Sequence, residues 1–213
     1  MNICGVEIEL FDKPVGILCS GGADSSILLY LLAKYTTEEI HVFTTATTAK
    51  GRSNVIPSVN VVEKVMQLTG NIKIVHHLRY LETQNKKALV FPLEPYFLNN
   101  SIHVLYSGET ANPPADVLAR FNGTQDADTI QRRDSNKVRS TYVEREFGRF
   151  CNPWLNIDKS KIAEIYKEYG LVDSLFPLTR SCETLDKELQ AIQAHCGVCW
   201  WCEERQWAFS RLV

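Results

Sequence analysis

The sequence has no long hydrophobic run and no excess of charge of one sign. Its longest apolar run, Ile27 to Ala33, is far shorter than the roughly 18 residues that a membrane-spanning helix needs. The first residues, MNICGVEIELFDK, lack the charged start and the apolar stretch of a signal peptide. The 23 Lys and Arg nearly balance the 25 Asp and Glu, so no global basic field attracts nucleic acid. We therefore expect a cytoplasmic protein with no membrane partner, for which nucleic acid is disfavoured but open.

Short apolar runs alternate with helical patterns at the spacing of βαβ units. Strands are predicted at 15–19, 40–45, 72–76, 102–106 and 150–155, with an edge strand at 6–10. Helices are predicted at 27–35, opening at the preceding serines, and at 54–69, 88–98 and 159–169. This pattern is typical of an α/β fold with a doubly wound, mostly parallel sheet, here in a single domain spanning 1–213. The polar stretch 112–138 is predicted to be a loop, serving as a mobile lid or partner surface.

Ser20 to Ser26, SGGADSS, joins the first buried strand to a helix. Glycines let backbone N–H groups approach phosphate oxygens, and a helix N-terminus adds partial positive charge. The motif is no Walker A loop, because no lysine follows the second glycine, and it is no GxGxxG loop either. The segment therefore predicts an anion site, against the alternative of a plain glycine turn with hydroxyl caps.

The same block resembles the PP-loop, SGGxDS, of the ATP pyrophosphatases. Those enzymes split ATP between the α and β phosphates and activate a carboxylate or carbonyl oxygen as its adenylate. The resemblance implies catalytic roles for Ser20, Asp24 and Ser25. It implies that the whole loop binds the nucleotide: Ser20, Gly21, Gly22, Ala23, Asp24, Ser25 and Ser26. Asp24 either holds Mg²⁺ beside the phosphates or fixes the loop, because a carboxylate alone would repel them.

Four of the seven cysteines are concentrated near the carboxyl end, at Cys182, Cys196, Cys199 and Cys202. An odd count in a reducing compartment argues against a disulfide framework. Two consecutive C-x-x-C steps plus a distant cysteine supply four soft ligands, which predicts a closed structural Zn²⁺ site in a subregion spanning 180–213. An iron–sulfur cluster is the rival, since thiolates hold those as well.

The other cysteines and the tryptophans between the ligands are interpreted as packing residues. Cys4, Cys19 and Cys151 lie in or beside apolar runs, which favours small core residues over nucleophiles. Trp200 and Trp201 are expected to pack within a compact metal knob, and a base-stacking platform is the less favoured alternative.

SGGADS, LTRSC, HCGVCWWCEER and NIDKSKIAEIYKEYGLVDS together resemble the 7-cyano-7-deazaguanine synthase family, over nearly the whole chain. The resemblance implies ATP, Mg²⁺ and Zn²⁺ as cofactors. It implies that ATP adenylates 7-carboxy-7-deazaguanine, that ammonia then forms the amide, and that a second activation gives the nitrile. Lys159 would reach the ATP phosphates, with a solvated surface charge as the alternative. A homodimer is left open.

Two sequence motifs of the family, Val-Pro-Gly-Arg-Asn and Tyr-Pro-Asp-Cys-Arg, are missing from the regions that would recognise the substrate. Gly108, Glu109 and Asn112 follow a predicted strand, where α/β folds place ligands, so we expect them to contact the acid. Two other functions stay open at this stage. One is tRNA thiolation by a PP-loop relative, and the other is a non-catalytic nucleotide- and zinc-binding module.

Overall fold

A computed structural model describes residues 1–47, 55–81, 92–123, 125, 127–182 and 195–211. Its strands, in chain order, are β1 (Asn2–Ile3), β2 (Val6–Glu7), β3 (Val15–Leu18), β4 (Ile40–Thr47), β5 (Ile74–Leu81), β6 (Val104–Tyr106), β7 (Tyr142–Arg145) and β8 (Gly148–Cys151). Its helices are α1 (Ala23–Tyr35), α2 (Val55–Thr69), α3 (Glu94–Leu98), α4 (Ala115–Leu118), α5 (Ala127–Arg132), α6 (Lys159–Glu168) and α7 (Trp200–Phe209). A 3-10 turn covers Phe176–Leu178. Within these ranges, no helix is both long enough and apolar enough to cross a membrane.

Six strands form one sheet in the order β5-β4-β3-β6-β8-β7, and every neighbouring pair is parallel except β7 and β8. The chain runs outward from β3 to β4 and β5, and then crosses to β6 on the other side of β3. The carboxyl ends of β3 and β6 therefore meet at the point where the strand order reverses, which is where open α/β sheets bind ligands. The predicted mostly parallel α/β sheet is confirmed.

The two faces of the sheet bury separate hydrophobic clusters, because successive strand residues point to opposite sides. Val42 and Val104 belong to the larger cluster, which includes apolar residues of α1, α2 and α6. Their chain neighbours Phe43 and Leu105 belong to a smaller cluster, which is joined by Tyr96 of α3. The smaller cluster borders the functional cleft described below.

The structure corrects several predicted boundaries. The residues predicted as an edge strand at 6–10 do not join the main sheet: β2 pairs only with β1, through a tight turn with positive φ at Cys4 and Gly5. Helix α1 begins at Ala23 with Gly22 as N-cap, and not at the serines. The predicted strand at 150–155 ends at Cys151, and its antiparallel partner β7 was not predicted. Residue 54 and residues 88–91, predicted to be helical, lie outside the described residues.

The polar stretch 112–138, predicted to be a loop, is irregular over most of its described residues but also contains two short helices. Both α4 and α5 lie within it, and Arg133, directly after α5, is only 1% exposed. Asn112 ties the stretch together, since its backbone N–H donates to Arg133 O at 2.7 Å and its side-chain amide donates to Ile130 O at 2.9 Å. Most described residues of the stretch are exposed, but its ends are hydrogen-bonded to each other and Arg133 places a buried guanidinium in the fold.

Candidate active site

A cleft of about 560 Å³ opens at the carboxyl ends of β3 and β6. One wall is the glycine loop, with Ser20, Gly22, Asp24 and Ser25. The rest of the lining comes from distant parts of the chain and includes Phe43, Leu93, Gly108, Glu109, Thr110, Arg132, Arg133 and Trp201. The cleft thus combines a phosphate-type loop with apolar walls and two arginines.

The glycine loop needs its first glycine for two physical reasons. Gly21 has φ +74°, in the left-handed region that favours glycine. A Cβ there would also lie 2.7 Å from Pro57 Cβ and 2.8 Å from the Ser58 N of α2. The next turn is closed by hydroxyls, because Ser25 and Ser26 donate to Gly22 O at 3.2 and 2.7 Å. Helix α2 therefore presses directly on the loop and fixes its shape.

Replacing Gly21 with alanine should lower the free energy of unfolding by about 2 to 5 kcal/mol, because a left-handed conformation and overpacking both add cost. Gly70→Ala is the matched control: its φ is +68°, but nothing lies within 4 Å of the added Cβ. We expect Gly70→Ala to cost only about 1 to 2 kcal/mol. Urea unfolding measures both variants, and equal costs would contradict the role assigned to α2.

A second glycine brings the β6 loop against the start of α1. A Cβ at Gly108 would lie 2.9 Å from Ser25 N and 3.0 Å from Asp24 C. The first turn of α1 is held from behind as well, because Trp154 Nε1 donates to Asp24 O at 3.1 Å and Tyr166 Oη donates to Ala23 O at 3.0 Å. The N–H groups at this helix start are thus fixed in place beside the cleft.

A chain of alternating charges lies beneath the loop. Lys159, the first residue of α6, is 2% exposed, and its ammonium lies 3.1 Å from Asp24 Oδ2 and 2.9 Å from Glu204 Oε2. The other oxygen of Glu204 accepts from Arg133 Nη2, and both side chains are buried. The four formal charges sum to zero, which is how a protein interior tolerates ions. The surface-charge interpretation of Lys159 is therefore wrong.

The charges around Asp24 and Lys159 suit a carboxylate that binds a cation and an ammonium that holds this carboxylate in place. Burial would lower the pKa of Lys159, but Asp24 and Glu204 outweigh it and hold that pKa above its ordinary value. Burial raises the pKa of Asp24 despite the neighbouring ammonium. Asp24 Oδ1 is buried without a hydrogen-bond partner among the described residues. A carboxylate oxygen left unpaired at a phosphate loop fits a Mg²⁺ ligand.

The four predicted metal ligands are brought together. The Sγ atoms of Cys182, Cys196, Cys199 and Cys202 all lie within 4.8 Å of one another, and two of the pairs are 3.9 and 4.0 Å apart. This cluster could bind a metal. By contrast, Cys19 and Cys151 are buried in the core, and burial raises the pKa of Cys151 to about 12, so these two are core residues as predicted.

The cysteine cluster is linked to the glycine loop directly through Arg180 and indirectly through α7. Arg180, two residues before Cys182, donates its backbone N–H to Gly21 O at 2.8 Å. Helix α7 carries Cys202 on one side and Glu204 on the other, since residues two apart face opposite sides of a helix. Whatever holds the cysteines in place therefore also holds the counter-charge of Lys159.

The predicted site residues fall into three groups. Ser20, Gly22, Asp24, Ser25, Gly108 and Glu109 line the cleft, and Glu109 pairs with Arg132 at 2.9 Å. Lys159 lies beneath the cleft and contacts its lining through Asp24. Among the described contacts, Gly21, Ala23, Ser26 and Asn112 are not brought to the lining, and Asn112 borders a smaller side cavity with Trp200.

Sequence reasoning missed Arg133, Glu204 and the position of Trp201. Trp200 is 5% exposed and packs edge-on to Phe121, as expected of a packing residue. Trp201 is half-buried and lines the cleft, so the packing interpretation is incomplete for it. Each of the three residues has polar or aromatic neighbours in the sequence and belongs to no recognisable motif. Its role becomes apparent only from its contacts with residues far away in the chain.

One known protein family matches the part of the chain that contains the glycine loop. The asparagine synthase family model matches residues 10–77, which contain the glycine loop. The match supports a PP-loop ATP pyrophosphatase type of enzyme, with ATP-dependent adenylation as its general chemistry, and does not single out the 7-cyano-7-deazaguanine synthase family. Among curated proteins, no match was found.

The solved structures that this chain matches include two from archaea, both at low TM-scores. One is the U34-tRNA thiolase NcsA from Methanococcus maripaludis with its [4Fe-4S] cluster, at 12% identity and a TM-score of 0.42, covering 75% of this chain. This chain spans only 57% of the thiolase chain. The other is a predicted subunit of tRNA methyltransferase from Methanocaldococcus jannaschii, at 18% identity and a TM-score of 0.33, covering 74% of this chain and 88% of that one.

Proposed function

We propose that this protein is an ATP-dependent ligase that adenylates a carboxylate and transfers it to ammonia, with 7-carboxy-7-deazaguanine as the acid and 7-cyano-7-deazaguanine as the final product. The observation that carries the proposal is the cleft itself. It places an SGGADSS loop at the start of α1 opposite a chamber with aromatic walls and two arginines. The four-cysteine cluster attached to that loop agrees with the resemblance of the C-terminal motif.

In the activation step, a carboxylate oxygen attacks the α-phosphorus of ATP and pyrophosphate leaves. The N–H groups at the start of α1 and the Ser20 hydroxyl bind the departing oxygens, where negative charge develops, and the Ser25 hydroxyl joins them when it exchanges its 3.2 Å hydrogen bond to Gly22 O for one to phosphate. Asp24 would hold Mg²⁺, which neutralises charge on the phosphates. Lys159 keeps Asp24 in position from below, because its ammonium is buried against that carboxylate.

In the second step, ammonia attacks the carbonyl carbon, loses a proton, and displaces AMP to give the amide. AMP is a good leaving group, whereas the oxygen of a free carboxylate is not. The cleft walls Phe43, Leu93 and Trp201 exclude water from the activated acid, which protects it from hydrolysis. In a second round of activation the amide oxygen attacks the α-phosphorus of another ATP and pyrophosphate leaves; loss of both N–H protons and of AMP then gives the nitrile.

We further propose that the cysteine cluster holds one Zn²⁺ in a structural role. Four sulfurs at tetrahedral positions around Zn²⁺, each about 2.3 Å from the metal, lie about 3.8 Å apart. The observed Sγ separations of 3.9 and 4.0 Å agree with a single ion. A four-iron cube occupies more space between its cysteines, so these separations favour zinc over an iron–sulfur cluster. All four ligands come from protein, which leaves no open position for a substrate.

Incubation with ATP and 7-carboxy-7-deazaguanine should release AMP and pyrophosphate in an acid-dependent manner, and ammonia should convert the acid to the amide and nitrile. Mass spectrometry of the acid and chromatography of the nucleotide products measure both. Omission of the acid is the control and should abolish pyrophosphate release. ADP and phosphate as the products, or no reaction with this acid, would rule out the proposed ligase.

A further inference from the structure

The cleft contains a fixed arginine with one unused end. Arg133 is 1% exposed, and its Nε and Nη2 make four hydrogen bonds or ion pairs. Nε donates to Thr110 O at 2.8 Å, and Nη2 donates to Thr110 Oγ1 and Ala111 O at 3.0 Å and to Glu204. Nη1 is buried without a hydrogen-bond partner among the described residues, in a side chain that lines the cleft.

A buried, unpaired guanidinium nitrogen is costly, so a hydrogen-bond acceptor is favoured at this position, and a negatively charged acceptor most strongly. The guanidinium cannot turn away to water, because Thr110, Ala111 and Glu204 fix its plane. It also lies 5.2 Å from the ring centre of Trp201, within cation–π range. The residue is therefore held rigidly in place before any ligand arrives, which is how binding sites reduce the entropic cost of recognition.

We propose that Arg133 Nη1 binds the carboxylate of the acid substrate. This inference rests on the proposed function, since it places that acid in this cleft. Phosphate oxygens are the other anions available, but the loop and the start of α1 already receive them. Around Arg133 the cleft has the apolar walls Phe43, Leu93 and Trp201, which suit a planar ring bearing a carboxylate better than a polyphosphate.

The arrangement gives the site two anion-binding ends that are joined by one buried bridge. Glu204 lies between them, with one oxygen on Arg133 and the other on Lys159, and Lys159 in turn contacts Asp24. Arg133 would bind the carboxylate of the acid, while the glycine loop binds the phosphates of ATP. Arg133 is thus a specificity-determining residue that was not among the predicted site residues.

Binding without ATP tests this directly, using quenching of tryptophan fluorescence or calorimetry. The probes are 7-carboxy-7-deazaguanine and its amide, which has the same ring and no negative charge. Wild-type protein should bind the acid about tenfold to a hundredfold more tightly than the amide, as expected for a charge-assisted hydrogen bond. Arg133→Lys, which keeps a cation beside Glu204, should reduce that preference to less than about threefold and leave ATP affinity within about threefold.

Arg139→Lys is the matched control, since Arg139 holds the same segment to Leu155 O at 2.7 Å and is absent from the described cleft lining. It should keep the preference for the acid. Equal acid and amide affinity in wild-type protein overturns the proposal, and this measurement needs no variant to fold. Weakened ATP binding with an unchanged acid preference in Arg133→Lys assigns Nη1 to phosphate and also overturns it.

The two proposals fail differently. Acid-selective binding that depends on Arg133, without AMP formation, supports this inference and rejects the ligase. AMP formation with a wild-type KM for the acid in Arg133→Lys rejects this inference and leaves the ligase standing.

Discussion

Replacing Lys159 with alanine should lower kcat about a hundredfold to a thousandfold while changing ATP affinity far less. The variant leaves Asp24 and Glu204 facing each other with no cation between them, so Asp24 loses the contact that orients it. Lys159 does not line the cleft, so the loss arises through Asp24: a displaced Asp24 no longer holds the cation on the phosphates, and one such transition-state interaction typically contributes about 2.7 to 4 kcal/mol. Steady-state kinetics and ATP–pyrophosphate exchange measure the effect.

Lys161→Ala is the matched control, because Lys161 lies on the same helix and, among the described residues, forms its ion pair with exposed Glu164. It should keep kcat within about twofold, as surface ion pairs contribute little. Loss of a buried partner also destabilises, so the double variant Lys159→Met/Glu204→Gln separates stability from catalysis by removing both charges. Wild-type turnover in Lys159→Ala or in the double variant would show that the buried charges play no part in the reaction.

Cys199→Ser should yield insoluble or largely unfolded protein that no longer retains metal. Structural zinc sites contribute on the order of 10 kcal/mol of apparent binding free energy at neutral pH, which approaches or exceeds the whole stability of many domains. Elemental analysis should find one zinc per chain in wild-type protein. Circular dichroism and urea unfolding follow the loss of structure.

Cys4→Ser is the control for this experiment, because Cys4 lies in the β1–β2 turn and outside the cluster. It should retain one zinc and a nearly unchanged unfolding midpoint. A soluble, cooperatively folding Cys199→Ser protein would contradict the structural role. Iron with visible absorbance in wild-type protein would contradict zinc and strengthen the thiolation alternative.

The elements that could be predicted from the sequence are those whose structure follows from the residues of one short segment. Val15–Leu18 is apolar because both faces of β3 are covered, and Asp158 caps α6 through a 2.9 Å hydrogen bond from Ser160 N, as its position predicts. Strand β7 was missed because its residues are mostly exposed and charged, and only its pairing with β8 makes it a strand. The pairing of two strands does not by itself produce a hydrophobic periodicity in the sequence of either strand.

The site follows the same division. SGGADSS and the cysteine spacing are local, so both ligand sets could be recognised from the sequence. Arg133 and Glu204 could not be recognised in the same way, because the residue type alone does not show whether a charged side chain is buried or solvated. Their burial results from a contact between residues far apart in the chain, and it is this contact that turns two ordinary charges into part of the site.

The position of Glu204 in the chain also determines when, during synthesis, the charged bridge beneath the cleft can form. Asp24 and Lys159 leave the ribosome long before α7 does, and until then Lys159 has one counter-charge and Arg133 has none from Glu204. The nascent chain can assemble β3 and α1 early, but the bridge beneath the cleft forms only after the cysteine segment has emerged. The buried pairing of Glu204 with Lys159 and Arg133 therefore depends on a residue that follows all four cysteines in the chain.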